Sequence, residues 1–218
     1  PGDSVTIDIG WGHGLDKKET MKKNSFRRIY VITPDGKKIR PIKINDTRFR
    51  FTAEKAGSYA VGAEINPGFM SKTTTGRVMR NKKGLNNAVS CMNFDIRAKT
   101  IINAGGEVPS SKKLVRHPLE IIPLNDPGNL KKDDVLQVMV VFNGKPVAAC
   151  DIHATHEGFK GKDHEAALSV KTDGNGKATI KIIQRGTWVL QARLEKPYPD
   201  SKVCDKYMYA AGFTLSVK

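Results

Sequence analysis

The five histidines, His13, His117, His153, His156 and His164, are the residues whose type and spacing suit metal chemistry best, and three of them fall between positions 153 and 164. Neutral imidazole is the commonest ligand for Zn2+, Ni2+, Co2+ and Cu2+, and a site needs three or four donors together. On an unbroken strand His153 and His156 point to opposite faces, because side chains alternate. They share an ion only if the strand stops near Ala154 or bulges. Glu157-Gly158 favours an early stop, after which His164 can fold back from the following loop. The order His153-Ala154-Thr155-His156-Glu157 lacks the glutamate directly after the first histidine that a helical zinc protease requires. His13 stands between Gly12 and Gly14, where the backbone can turn sharply or approach a ligand closely. Its competing role is a strand-end histidine bonded to a neighbouring carbonyl. His117 precedes Pro118 and is expected in an exposed linker.

Other chemistry has little support. No nucleophile elbow, Ser-x-x-Lys pattern or Walker loop occurs, and a non-enzymatic role is expected. Cys150 falls in an apolar alternating run with Ala148, Ile152 and Ala154 and reads as a small core residue. Cys91 and Cys204 take equivalent places in two halves of the chain, which neither ensures nor forbids a bridge. Asp133-Asp134 and Asp173-Gly174-Asn175-Gly176 sit in turns, and the latter lacks EF-hand spacing.

The elements that must position these residues are strands. Val5, Ile7, Ile9 and Trp11 alternate with polar residues or glycine, the period of a half-buried strand. Short runs follow at Ile29 to Ile32, Phe49 to Phe51 and Tyr59 to Ile65, bounded by turn residues. Helix is expected only for a turn or two around Asp16 to Asn24. The second half echoes the first: Gly57-Ser58-Tyr59-Ala60-Val61 parallels Gly186-Thr187-Trp188-Val189-Leu190, and Cys91 and Cys204 each precede a late strand. A repeat of one supersecondary plan is the economical reading. Tyr59 and Trp188 are expected as core anchors. The predicted architecture is all-β, two tandem immunoglobulin-like or prealbumin-like antiparallel sandwiches: residues 1–105, a linker over 106–117 rich in Gly, Pro and Ser, and residues 118–218. Residues 66–87 are expected as a long loop.

Lys and Arg number 37 against 22 Asp and Glu, a formal charge of +15. Such a surface attracts anionic polymers or partners at low salt. The cations are scattered with no aromatic platform interleaved, so no specific nucleic-acid partner is expected. No apolar run approaches the roughly 18 residues of a spanning helix. The beginning at Pro1 is compatible with a removed signal peptide and equally with a truncated chain or leading residues that are not part of this sequence, so the N-terminus alone does not give the compartment.

Trp11-Gly12-His13, the run Pro118-Leu119-Glu120-Ile121-Ile122-Pro123-Leu124-Asn125-Asp126-Pro127, Phe142-Asn143-Gly144-Lys145-Pro146-Val147-Ala148-Ala149, and Thr172-Asp173 with Gly186-Thr187-Trp188 together resemble one family. It is a domain-of-unknown-function family of secreted bacterial proteins found beside nickel and cobalt uptake transporters. The resemblance implies a periplasmic, signal-processed protein of two sandwiches that binds or delivers Ni2+ or Co2+, with Zn2+ a further option, beside an ABC or energy-coupling-type transporter. His13 matches the family's Gly-His after the first strand. His156 stands where many relatives place an aromatic residue. His13, His153, His156 and His164 are the expected metal ligands. The alternative is a sandwich module that binds an anionic polymer or partner protein through its basic face.

Overall fold

The computed structural model describes residues 1–10, 12, 15, 25–105, 115–162 and 165–218. Strands and no helix occur among them. The first half carries β1 (Asp3–Asp8), β2 (Phe26–Ile32), β3 (Lys38–Ile39), β4 (Ile42–Lys43), β5 (Arg48–Ala53), β6 (Ser58–Ile65), β7 (Gly68–Thr73), β8 (Gly76–Val78) and β9 (Ala88–Asn103). The second carries β10 (Leu119–Pro123), β11 (Val135–Phe142), β12 (Lys145–Pro146), β13 (Asp151–His156), β14 (Leu168–Lys171), β15 (Lys177–Lys181), β16 (Gly186–Pro197) and β17 (Lys206–Val217). The fold is all-β and built of packed sheets, as the alternation predicts. The helical turn expected within Asp16–Asn24, Trp11, and linker positions 106–114 lie outside the described residues.

One ten-stranded sheet runs through both halves in the order β14-β13-β16-β17-β9-β6-β2-β3, and two smaller sheets, β1-β5-β4 and β10-β11-β12 with β15, pack on it. Cross-strand partners share a face, so the register decides which side each small sheet covers. Val31, Val61, Thr100 and Thr214 form one row. Val31 and Val61 pack with Ile7, Phe49 and Phe51 of the β1-β5-β4 sheet. The adjacent row, Tyr30, Gly62, Lys99, Phe213 and Leu190, points the other way. There Phe213 and Leu190 pack with Ile121, Leu136, Val138 and Ile180 of the β10-β11 sheet. The two small sheets therefore cover opposite faces of the shared sheet.

The repeat is a repeat of topology. β2-β6-β9 and β13-β16-β17 are equivalent antiparallel runs, as are β1-β5 and β11-β15, and the two halves meet where β9 and β17 pair in parallel. Both strand openings use a glycine at positive φ, Gly57 at 122° and Gly186 at 99°, which L side chains rarely adopt. Two residues on, Tyr59 and Trp188 are fully buried. Each ties its polar atom to a carbonyl four residues back: Tyr59 Oη donates to Lys55 O and Trp188 Nε1 to Gln184 O, both at 2.8 Å. The tandem plan thus has a local cause, an aromatic anchor held by its own preceding turn.

Residues 66–87 are not an irregular loop. β7 pairs with the first part of β9, and β8 folds back on β7 through the turn before Gly76, whose φ is 144°. Cys91 and Cys204 form a disulfide, with Cα atoms 4.9 Å apart, that joins β9 to the chain just before β17.

Candidate binding cleft and the buried seam

His153 and His156 both belong to β13, which runs regularly through His156, with His153 opposite Gln191 and His156 opposite Trp188. No bulge intervenes, so the two rings face opposite sides of the sheet. His153 is exposed, its Nδ1 3.0 Å from Ser169 Oγ. His156 is half-buried, its Nδ1 2.8 Å from Glu157 O and its ring 5.1 Å from that of Trp188. His13 and His164 lie outside the described residues. Among the described residues no three His, Cys, Asp or Glu side chains converge on a common point. The described donors do not make a Ni2+ or Co2+ site. Cys150 is buried and its thiol is pushed up by that burial, which suits a packing role.

His117 is the largest departure from expectation. It is 5% exposed, not a linker residue in water, because Val115 and His117 pack onto the first half of the shared sheet. Tyr30 Oη donates to Val115 O at 3.2 Å, which uses its one proton. The 2.9 Å contact between Tyr30 Oη and His117 Nε2 is then satisfied with the imidazole donating from Nε2. Beside it Lys99 Nζ donates to Glu120 Oε1 at 2.6 Å, and Val115 N donates to the same oxygen at 2.9 Å. Glu64 accepts from Arg28 at 2.8 Å and faces Arg97 at 3.4 Å, while Arg97 grips Asp95 through two bonds. Gly62 is required under the Tyr30 ring: a Cβ there would collide with the ring carbons. Burial, and then the charges of Glu64 and Glu120, push the Tyr30 phenol well above its ordinary value. The seam thus fixes the second half on the first through charged and polar groups.

Burial, then the nearby Arg97 and Lys99 cations, lowers His117 from 6.5 to about 3. A histidine depressed in the folded state is neutral in both states above pH 6.5, takes a proton only when unfolded as pH falls, and so withdraws stability down to about 3. Between pH 7 and 4.5 the wild type is expected to lose about 1–3 kcal/mol more than His117→Gln, which keeps a donor for Tyr30 but does not titrate. Urea unfolding at the two pH values measures this; parallel losses refute it.

A cleft in the first half opens where the chain leaves the shared sheet at Ile39 and enters the small sheet at Ile42, with buried Pro41 at the corner. It has a volume of about 790 Å3 and, among the described residues, is lined by Arg27, Arg28, Lys38, Arg40 and Lys43 against a single acid, Asp46. Ile29, Ile39 and Phe49 contribute its apolar wall. Lys43 reaches Asp46 at 2.6 Å, Arg28 is held by Glu64, and Lys38 Nζ lies 3.5 Å above the Tyr30 ring. Arg27 and Arg40 are exposed and make no ion pair among the described residues. The same charges blunt the edge of the shared sheet, since β3 is its last strand.

The profile of a protein family described as a domain of unknown function (DUF4198) matches residues 1–196. The chain belongs to the DUF4198 family. No curated protein matches it. Among solved structures, this DUF4198 protein aligns with the D0–D1 domain of intimin at 11% identity and a TM-score of 0.25, covering 99% of this chain and 91% of that one. It aligns with the fibronectin(III)-like modules of Clostridium thermocellum CbhA at 10% identity and a TM-score of 0.25, covering 100% and 86%. A DUF3823 family protein from Bacteroides uniformis aligns at 13% identity and a TM-score of 0.26, covering 100% of both chains. The sandwich class of the DUF4198 chain is set by its own strand pairing.

Proposed function

We propose that this protein is a non-catalytic binding module of an oxidising, extracytoplasmic compartment, and that it holds an acidic polymer or an acidic partner surface in the Arg27–Arg40 cleft. The observation that carries the reading is that, among the described residues, five cations face one acid in the cleft beside an apolar wall. Fixed charge of one sign in a concave site focuses the field on an anionic ligand. The Cys91–Cys204 bridge supports the compartment, because such bonds persist where thiols are not kept reduced. The net charge of +15 supports the ligand class.

Inorganic polyphosphate is a suitable first probe. Binding is expected to be saturable, to weaken steeply with salt and to ignore chelators. Arg27→Glu with Arg40→Glu, both on exposed side chains, is expected to weaken it about tenfold or more at low ionic strength. Undiminished binding by that variant overturns the cleft assignment. Titration with Ni2+ and Co2+ separates this reading from metal delivery, which rests on the family resemblance and on His13.

A further inference from the structure

The two layers of the second half are unequal in length. β16 and β17 each run 12 residues, whereas β10 and β15 in the covering sheet run 5. The covering layer stops at Phe142 and β12, and the last rows of the shared sheet project past it as a shelf. Register places Leu194, Tyr209 and Asp95 in one of these rows and Lys196, Tyr207, Asn93 and Phe69 in the next. All are on the face that packs under the β10-β11 sheet, and all but Lys196, which is exposed, are half-buried.

The step itself is a pocket of about 360 Å3 walled by Phe142, Pro146, Val147 and Leu194, with Lys145 and Lys196 at its rim. From it an aromatic row crosses the shelf: Phe142 to Tyr209 at 4.8 Å between ring centres, Tyr209 to Tyr207 at 5.9 Å, Tyr207 to Tyr198 at 4.7 Å, and Tyr198 to Phe69 at 5.8 Å. Neither rim lysine makes an ion pair among the described residues; Lys196 Nζ sits 6.0 Å from the Phe142 ring. Half-buried tyrosines keep an apolar ring face in contact and a hydroxyl in water. An apolar pocket of this size with a few convergent polar groups is the usual form of a small ligand subsite.

We infer that this shelf is a second binding site, distinct from the Arg27–Arg40 cleft, for an acidic carbohydrate chain. Sugar rings would lie on the aromatic row, with a carboxylate reaching Lys145 and Lys196. The occupant follows from complementarity: the row offers apolar ring faces flanked by hydroxyl, amide and carboxylate groups, and the charge at its pocket end is positive and unpaired. Asp95 does not cancel that charge, because Arg97 holds it on both oxygens.

A short galacturonate oligomer is the probe, with a neutral glucose oligomer of equal length and oligothymidylate as comparisons. The galacturonate oligomer is expected to quench tyrosine fluorescence saturably and to bind at least about tenfold tighter than the neutral sugar. In a protein that already carries Arg27→Glu and Arg40→Glu, which removes the cleft's own pull on an anion, saturable binding should persist, and Lys145→Glu with Lys196→Glu should weaken it about tenfold or more. In the wild-type protein, which needs no substitution to fold, the ligand should slow chemical acetylation of Lys145 and Lys196 severalfold relative to Lys37. The inference is overturned by absence of saturable binding, by equal affinity for the neutral sugar, or by acetylation rates that do not separate. Equal displacement by oligothymidylate also overturns it, by making the shelf a stacking platform for single strands.

Discussion

Replacing Cys91 and Cys204 with serine is expected to cost about 4 kcal/mol of unfolding free energy. The bridge spans a sequence separation of 113, and cross-linking a loop of that size removes a large share of the unfolded chain's freedom. It also closes one end of the β9–β17 ladder, the only place where strands of the two halves pair among the described residues. Around the bridge, Cys91 N donates to Asp205 Oδ2 at 2.6 Å, and Lys82 pairs with Asp205. Those contacts come from the β7–β9 region and the chain before β17, so their geometry depends on the same junction. Urea unfolding of the oxidised protein and the double-serine variant measures the difference. A loss below about 1 kcal/mol refutes the claim that the bridge restricts the unfolded ensemble. Cys150, buried and with its thiol pushed up, should stay unreactive toward thiol reagents in both folded proteins.

What the sequence made legible was local. Alternation at Val5 and Ile7 and at Phe49 and Phe51 marks strands because a sheet with one buried face imposes period two. Gly57 and Gly186 before their aromatic anchors mark the repeat because a positive φ and a buried ring constrain short stretches of chain. The hairpin in 66–87 left a signal too, Thr73-Thr74-Thr75-Gly76, in which β-branched residues favour strand and glycine the turn. The parallel pairing of β9 with β17 left none, since a register between strands about a hundred positions apart is written in no window of sequence. His117 shows the consequence. Beside proline and after a Gly/Pro/Ser run it has the context of a linker, but the shared sheet brings Tyr30 beneath it. The same holds for both candidate sites. Arg27 and Arg40 face one cleft only because β2 and β3 pair, and the aromatic row collects rings from β7, β11 and β17 and from the chain after β16. Two of the proposed metal ligands, His153 and His156, fail to converge for a reason the sequence did contain: alternation on an unbroken strand.

Removing either partner of the Lys99–Glu120 pair is expected to cost about 3–5 kcal/mol, and removing both together well under the sum of the two single losses. Both side chains are almost wholly buried, at 1% and 2% exposure. Burial pulls the Lys99 ammonium down from its ordinary value against the opposing pull of Glu120. Lys99→Met leaves a carboxylate in the seam with, among the described residues, only Val115 N to satisfy it. Glu120→Leu leaves an ammonium above Phe213, 5.9 Å from its ring, and orphans the Val115 amide. The double variant places two apolar side chains between Tyr30 and Phe213 and strands only that amide, at about 1–3 kcal/mol. A double-mutant cycle by urea unfolding should therefore return a coupling of at least about 2 kcal/mol. Additive single losses would mean that water reaches the pair and that the seam is not sealed. Recovery in the double variant would show that the single losses come from leaving one charge buried and unpaired, and that the Glu120–Val115 bond is not what holds the seam together.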